Sequence, residues 1–162
     1  MGYTFTIGNA VPKFSKDDGE LAAQWEVEPA SSEFAPTFPN DEMTGNGNMR
    51  SPSYSTWNTF CKDTGIHNVF YDDRGNITGG HPGCVMIKGS DMCLVREALA
   101  RYRKIASLPP GFEGFPVFDE ETKEWKSADE GKYDGYLARL IWLEWWMDWA
   151  LANCETPAIQ NT

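Results

Sequence analysis

Residues 136–152 read Tyr-Leu-Ala-Arg-Leu-Ile-Trp-Leu-Glu-Trp-Trp-Met-Asp-Trp-Ala-Leu-Ala, with only Arg139, Glu144 and Asp148 charged. A membrane span needs about 20 apolar residues with charges kept out of its centre, and this run is shorter and carries three. It reads instead as a helix that is apolar around its whole circumference, which belongs in the middle of a soluble core or in a subunit interface. Ser127 and Glu130 have capping-box spacing upstream, so the predicted helix covers 130–152. On a helical wheel Asp134, Glu144 and Asp148 share one edge, the solvent edge. Arg139 falls opposite them, among Trp142, Trp146 and Trp149.

Working outward, a second helix is expected over 90–107, capped by Ser90 and stopped by Leu108-Pro109-Pro110-Gly111. Met92, Val95, Leu99, Tyr102 and Ala106 form its apolar stripe, with Arg96 and Arg103 along one edge. A third helix is expected over 52–64, with Ser51 as cap, Pro52 in the first turn, and Tyr54, Trp57 and Phe60 at helical spacing. Gly65 supplies its left-handed end, and Ile66 folds back on Phe60 or Cys61.

Tyr3, Phe5 and Ile7 alternate with polar residues, as do Ala23, Trp25 and Val27, which suggests an antiparallel pair. Val69-Phe70-Tyr71 and Cys84-Val85-Met86-Ile87 read as short strands separated by turns. Val117-Phe118 and Glu124-Trp125-Lys126 resemble a hairpin. Residues 29–52 hold too much Pro, Gly, Asn, Ser and Thr for either periodicity and read as a long loop. The expected fold class is α+β, a small antiparallel sheet with about three helices packed on one face and the Trp-rich C-terminal helix central. Residues 1–154 are expected to form a single globular domain, and residues 155–162 a flexible tail.

The 162 residues include 22 aromatic rings and carry a net charge of −10. The charge is uneven. Residues 1–50 hold 3 basic and 8 acidic side chains, residues 51–108 hold 7 and 5, and residues 109–162 hold 4 and 11, giving −5, +2 and −7. A chain with this distribution repels duplex nucleic acid, which binds through clustered Lys and Arg. A small anion would still find counter-charges in the middle segment. The candidate ligand-binding residues are therefore His81 in a glycine-rich turn, Arg96 and Arg103 on one helix, Arg139 in the aromatic helix, and Trp57.

The N-terminal residues Met1-Gly2-Tyr3-Thr4-Phe5-Thr6 show no basic region followed by an apolar one, so the expected location is cytoplasmic, with no membrane partner. Cysteines at 61, 84, 93 and 154 contain no Cys-x-x-Cys pair and read as reduced thiols. Cys61, His67, His81 and Cys84 offer ligand types that zinc accepts, although their spacing matches no zinc module. Walker and dinucleotide fingerprints are lacking, and no cofactor is implied. Pairing Cys61 with His67, or Cys84 with His81, gives a nucleophile and a base but no orienting third residue. A non-enzymatic binding protein is the preferred reading, with a small Cys/His-dependent enzyme as an alternative.

The run Ser53-Tyr54-Ser55-Thr56-Trp57-Asn58-Thr59-Phe60, followed by Thr64-Gly65-Ile66 and His81-Pro82-Gly83-Cys84, resembles a module of uncharacterised small proteins from bacteriophages and their bacterial hosts. The resemblance covers about the central quarter of the chain and brings no activity with it. It implies an accessory or anti-defence protein in the host cytoplasm that sequesters a small anionic, nucleotide-like ligand or a host partner. Two other roles suit that context, an acidic mimic of nucleic acid that occludes a host defence protein, and a virion accessory protein. The apolar C-terminal helix also allows a homodimer.

Overall fold

The computed structural model describes residues 1–14, 23–27, 35–36, 43–44, 48–105, 117–119, 121–126 and 134–162. Its organising strand is β1 (Phe5–Phe14), which carries different partners along its length. The first half, Phe5 to Asn9, pairs antiparallel with β8 (Pro157–Asn161). The second half, Ala10 to Phe14, pairs with β2 (Ala23–Val27). The short strands β3 (Met43–Thr44) and β4 (Met49–Arg50) continue the sheet beyond β1, and β5 (Gly83–Met86) closes the other side against β8. The path β3-β4-β1-β8-β5, with β2 attached to β1, makes a six-stranded sheet. A separate hairpin joins β6 (Val117–Asp119) to β7 (Glu124–Lys126), as the sequence suggests.

Strand alternation sorts the side chains onto two faces. Phe5, Ile7 and Ile159 point to the helices and enter the main core, while Ala10, Ala158 and Cys84 gather with Val27 on the other face. There the Val27 amide donates to Gln160 Oε1 at 3.0 Å.

Among the described residues four helices complete the fold: α1 (Tyr54–Thr64), α2 (His67–Phe70), α3 (Gly89–Ile105) and α4 (Gly135–Asn153). The expected α+β class with a central Trp-rich helix is what the chain adopts. Leu137, Ala138, Leu140, Trp142, Leu143, Trp146, Met147 and Ala150 of α4 are all buried, spread around the helix as its composition requires. α4 packs against α3, β1 and β8. None of the described helices is long and apolar enough to cross a membrane.

Several boundaries differ from the sequence reading for local reasons. The cap of α1 is Ser53, whose Oγ accepts from the Thr56 amide at 3.2 Å, because Pro52 carbonyl is engaged by the Tyr3 amide. Gly65 ends α1 at φ 79°, and the amides of Gly65 and Ile66 donate to Lys62 and Cys61 carbonyls, the paired bonds of a Schellman end. Val69 and Phe70 are helical rather than extended, since α2 starts at once after that turn and Tyr71 alone bridges to Ile77. At α3 the side chain that closes the first turn is Asp91, accepting from the Lys88 amide, and Ser90 lies inside the helix. α4 is capped by Asp134, whose carboxylate accepts from the Tyr136 and Leu137 amides. The Ser127 and Glu130 box lies outside the described residues.

Two corrections reach further. The stretch 29–52, expected as a loop, contributes β3 and β4, and Asn48 and Arg50 from it are fully buried, with the Arg50 guanidinium 5.2 Å from the Trp142 ring centre. Residues 155–162, expected as a flexible tail, contain β8, which lies between β1 and β5 in the sheet. Its apolar content is small, but Ile159 inserts into the main core and is 4% exposed.

Ile159→Ala should therefore destabilise the chain by about 2–5 kcal/mol, the range for truncating a buried Ile, whereas a tail residue would leave the urea midpoint unmoved. A pH limb follows from Tyr102, whose hydroxyl donates to both Asp134 oxygens at 2.8 and 2.7 Å. Burial first, then that hydrogen bond, raises the phenol above its ordinary value of 10.0. The folded state thus holds this proton more tightly than the unfolded chain does. Its contribution is full below about pH 10 and declines as pH rises further, and Tyr102→Phe should flatten that alkaline decline in denaturant titrations.

Candidate functional site

The segment between α2 and β5 makes two successive turns. In the first, Asp72 Oδ1 accepts from the Arg74 and Asn76 amides at 2.9 and 2.8 Å, and these bonds hold its carboxyl below the usual range. The second, Gly79-Gly80-His81-Pro82-Gly83, folds so tightly that a Cβ on Gly83 would overlap the Gly79 carbonyl. The His81–Pro82 peptide is cis. This compression lifts the His81 side chain out at the edge of the sheet, beside the last residues of β8 and the start of α1.

Both imidazole nitrogens are engaged. Nδ1 of His81 lies 2.6 Å from Asn161 Oδ1, and Nε2 lies 3.0 Å from the Tyr54 hydroxyl. Asn161 is 3% exposed, and its Nδ2 donates to the Gly80 carbonyl at 2.8 Å, which turns Oδ1 towards the ring. An amide oxygen only accepts, so Nδ1 of His81 carries the hydrogen. In neutral His81 this leaves Nε2 as acceptor and Tyr54 as donor. Tyr3 completes the group. Its ring meets His81 edge-on at 5.1 Å and Tyr54 at 4.6 Å, and Tyr54 meets His81 edge-on at 5.5 Å. The result is a partly solvated cluster of three mutually packed rings with a buried amide beside it.

The other candidate residues are distributed elsewhere. Arg96 lies between two carboxylates of α4, with Nε 3.1 Å from Glu144 and Nη2 2.8 Å from Asp148. Its partners come from the neighbouring helix rather than from adjacent Glu97. Arg103 is half-buried in the last turn of α3. Arg139 is half-buried on α4 with its guanidinium 5.6 Å from the Phe60 ring centre. Trp57 is fully buried, packed against Phe5, Phe60 and Phe70, so it belongs to the core and not to a ligand surface. His81 and Arg96 thus have different partners, Asn161 and Tyr54 for the one and Glu144 and Asp148 for the other.

The four residues of the zinc alternative do not form a ligand cluster. No three His, Cys, Asp or Glu side chains gather as a metal site among the described residues. Cys61 is fully buried, and burial pushes its thiol well up, with Arg139 opposing only in part. Burial likewise raises the thiol of Cys84, which packs on the far face of the sheet. His67 stacks face to face on Tyr71 at 4.6 Å. Neither cysteine pairs with a histidine as a nucleophile would.

What the sequence does not announce is Asn161, which lies within the residues read as a tail, and the role of Tyr54 and Tyr3, which read simply as apolar positions of a helix and a strand. Tyr54 and His81 do come from opposite ends of the Ser53 to Cys84 module, and the fold brings them into one hydrogen bond. Comparison with protein-family models, curated proteins and solved structures gives no match for this chain.

The tautomer can be read directly. Long-range 1H–15N NMR of neutral His81 should give the pattern of an Nδ1-protonated ring, and Asn161→Ala should shift it towards the Nε2-protonated form that free imidazole side chains favour. An Nε2-protonated pattern in the unaltered protein would contradict the geometry.

Proposed function

We propose that this chain is a small accessory protein of the bacteriophage type that binds a small anionic, nucleotide-like ligand at the His81 turn. The observation that carries the reading is the exposed imidazole of His81, framed edge-on by Tyr3 and Tyr54 and set in place by Asn161. Aromatic walls suit a planar ring, and a protonated Nε2 together with the Tyr54 hydroxyl would supply two donors to one anionic oxygen. Tyr54 is also the first residue of α1, whose amide end adds partial positive charge nearby. The middle segment of the chain is its only net-positive part, and the acidic flanks would turn long polyanions away.

The arginines take secondary places in this reading. Arg96 is neutralised by Glu144 and Asp148, and Arg103 and Arg139 are carried by α3 and α4 rather than by the turn itself. Acidity as a decoy for nucleic acid, or a place in the virion, would instead use surfaces remote from His81.

A thermal-shift screen against mononucleotides, dinucleotides and cyclic nucleotides tests the proposal. A ligand at 100 times its Kd adds about 2.7 kcal/mol, so a cognate nucleotide should raise Tm by roughly 5–10 °C for a chain of this size. His81→Ala should abolish the shift and Arg96→Ala should keep it. A flat response to every nucleotide, with capture of a nucleic-acid-binding host protein instead, would replace this reading with the mimic.

A further inference from the structure

A hydrogen-bonded chain runs from a buried amide to a surface hydroxyl: Asn161 Oδ1 to His81 Nδ1, then His81 Nε2 to Tyr54 Oη. Each position has the property its place requires. Asn161 is buried and fixed by the Gly80 carbonyl, so it can orient the ring without competing for the proton. In its neutral form His81 presents an Nε2 without a hydrogen to the hydroxyl. Tyr54 is half-buried and reaches solvent, with its oxygen lone pairs left over once its hydrogen points at the imidazole. A hydroxyl within reach of a base that is itself oriented by a third group is the geometric signature of an activated nucleophile.

The other hydrogen-bonded tyrosines provide a contrast inside the same molecule. Tyr136 donates to Asp63 at 2.7 Å, and Tyr102 donates to Asp134. A carboxylate holding a phenolic hydrogen keeps it in place: the bond to Asp63 pushes the Tyr136 phenol up, and burial followed by the bond to Asp134 pushes up that of Tyr102. Tyr54 alone among these three has a nitrogen base as partner.

We propose that Tyr54, His81 and Asn161 act as nucleophile, base and positioning residue, making Tyr54 an acceptor of acyl groups from activated esters. Tyr54 Oη attacks the ester carbonyl carbon, forming the new C–O bond as the acyl–aryloxide bond breaks. The phenolic proton passes to His81 Nε2, and the imidazolium returns it to the departing aryloxide. Water then attacks the acyl-tyrosine with His81 again taking and returning one proton, which releases the carboxylic acid and restores Tyr54. This inference stands independently of the nucleotide reading, because it needs only the three side chains and not a bound anion.

The probe is p-nitrophenyl acetate, added to the full chain, with acetyl groups located by peptide mass mapping over time. Tyr54 should be acetylated faster than Tyr136, and His81→Gln should slow Tyr54 about 100-fold or more while leaving the Tyr136 rate alone. Asn161→Ala should also slow Tyr54, to a rate between the two. Tyr54→Phe should remove that acetyl site with an unchanged circular dichroism spectrum. Equal rates at Tyr54 and Tyr136 in the unaltered protein would overturn the proposal, and that comparison decides the matter even where a variant fails to fold. A Tyr54 rate unmoved by folded His81→Gln would overturn it as well. The nucleotide screen and the acetylation rates can fail separately, so the two readings are told apart.

Discussion

α4 has apolar side chains on every side, and such a helix cannot be left against water. Truncating either of its fully buried tryptophans, Trp142 or Trp146, would by itself cost about 3–5 kcal/mol, a large part of the net stability of an ordinary domain. The rest of the chain is arranged to cover it. α3 lies along one side, clamped by Arg96 on Glu144 and Asp148, and by Tyr102 on the Asp134 cap. β1 and β8 cover another side through Phe5, Ile7 and Ile159, and α1 contributes Trp57 and Phe60 to the same core. The acidic residues on α4 sit where the wheel places them, at the one edge where a neighbouring helix and solvent meet.

β8 follows from the same constraint. α4 ends at Asn153, and within four residues the chain has turned back as a strand between β1 and β5. That return places Asn161 opposite Phe5 and Gly83 in the sheet. The residue that orients His81 is therefore delivered by the element that also completes the core, and loss of β8 would remove the site and part of the fold together.

Much of this was legible because long periodic segments declare themselves. The run 136–152, the apolar stripe from Met92 to Tyr102, and the Gly65 stop each carry several concordant signals in a few residues. β8 does not. Its one strongly β-forming residue is Ile159, and its stability comes from neighbours on both sides that are more than 70 residues away in sequence, so no local pattern reveals it. β4 is hidden likewise, since its burial depends on Arg50 lying over Trp142. The candidate site was half legible: His81 stood out as an imidazole in a glycine-rich turn, whereas its partners are defined by contacts across 27 and 80 residues. Arg96 shows the opposite case, because its charge is visible in sequence while Glu144 and Asp148, which pair with it from a neighbouring helix, are not.

Through Asn161 the C-terminal strand holds His81 as part of one connected site. The most direct measurement is a double-mutant cycle on unfolding free energy between Asn161→Ala and His81→Ala. Residues sharing a hydrogen bond should show a coupling of about 0.5–3 kcal/mol, while independent sites add to within roughly 0.3–0.5 kcal/mol. Coupling in the first range is expected if Asn161 holds the His81 ring, and strict additivity would contradict that bond.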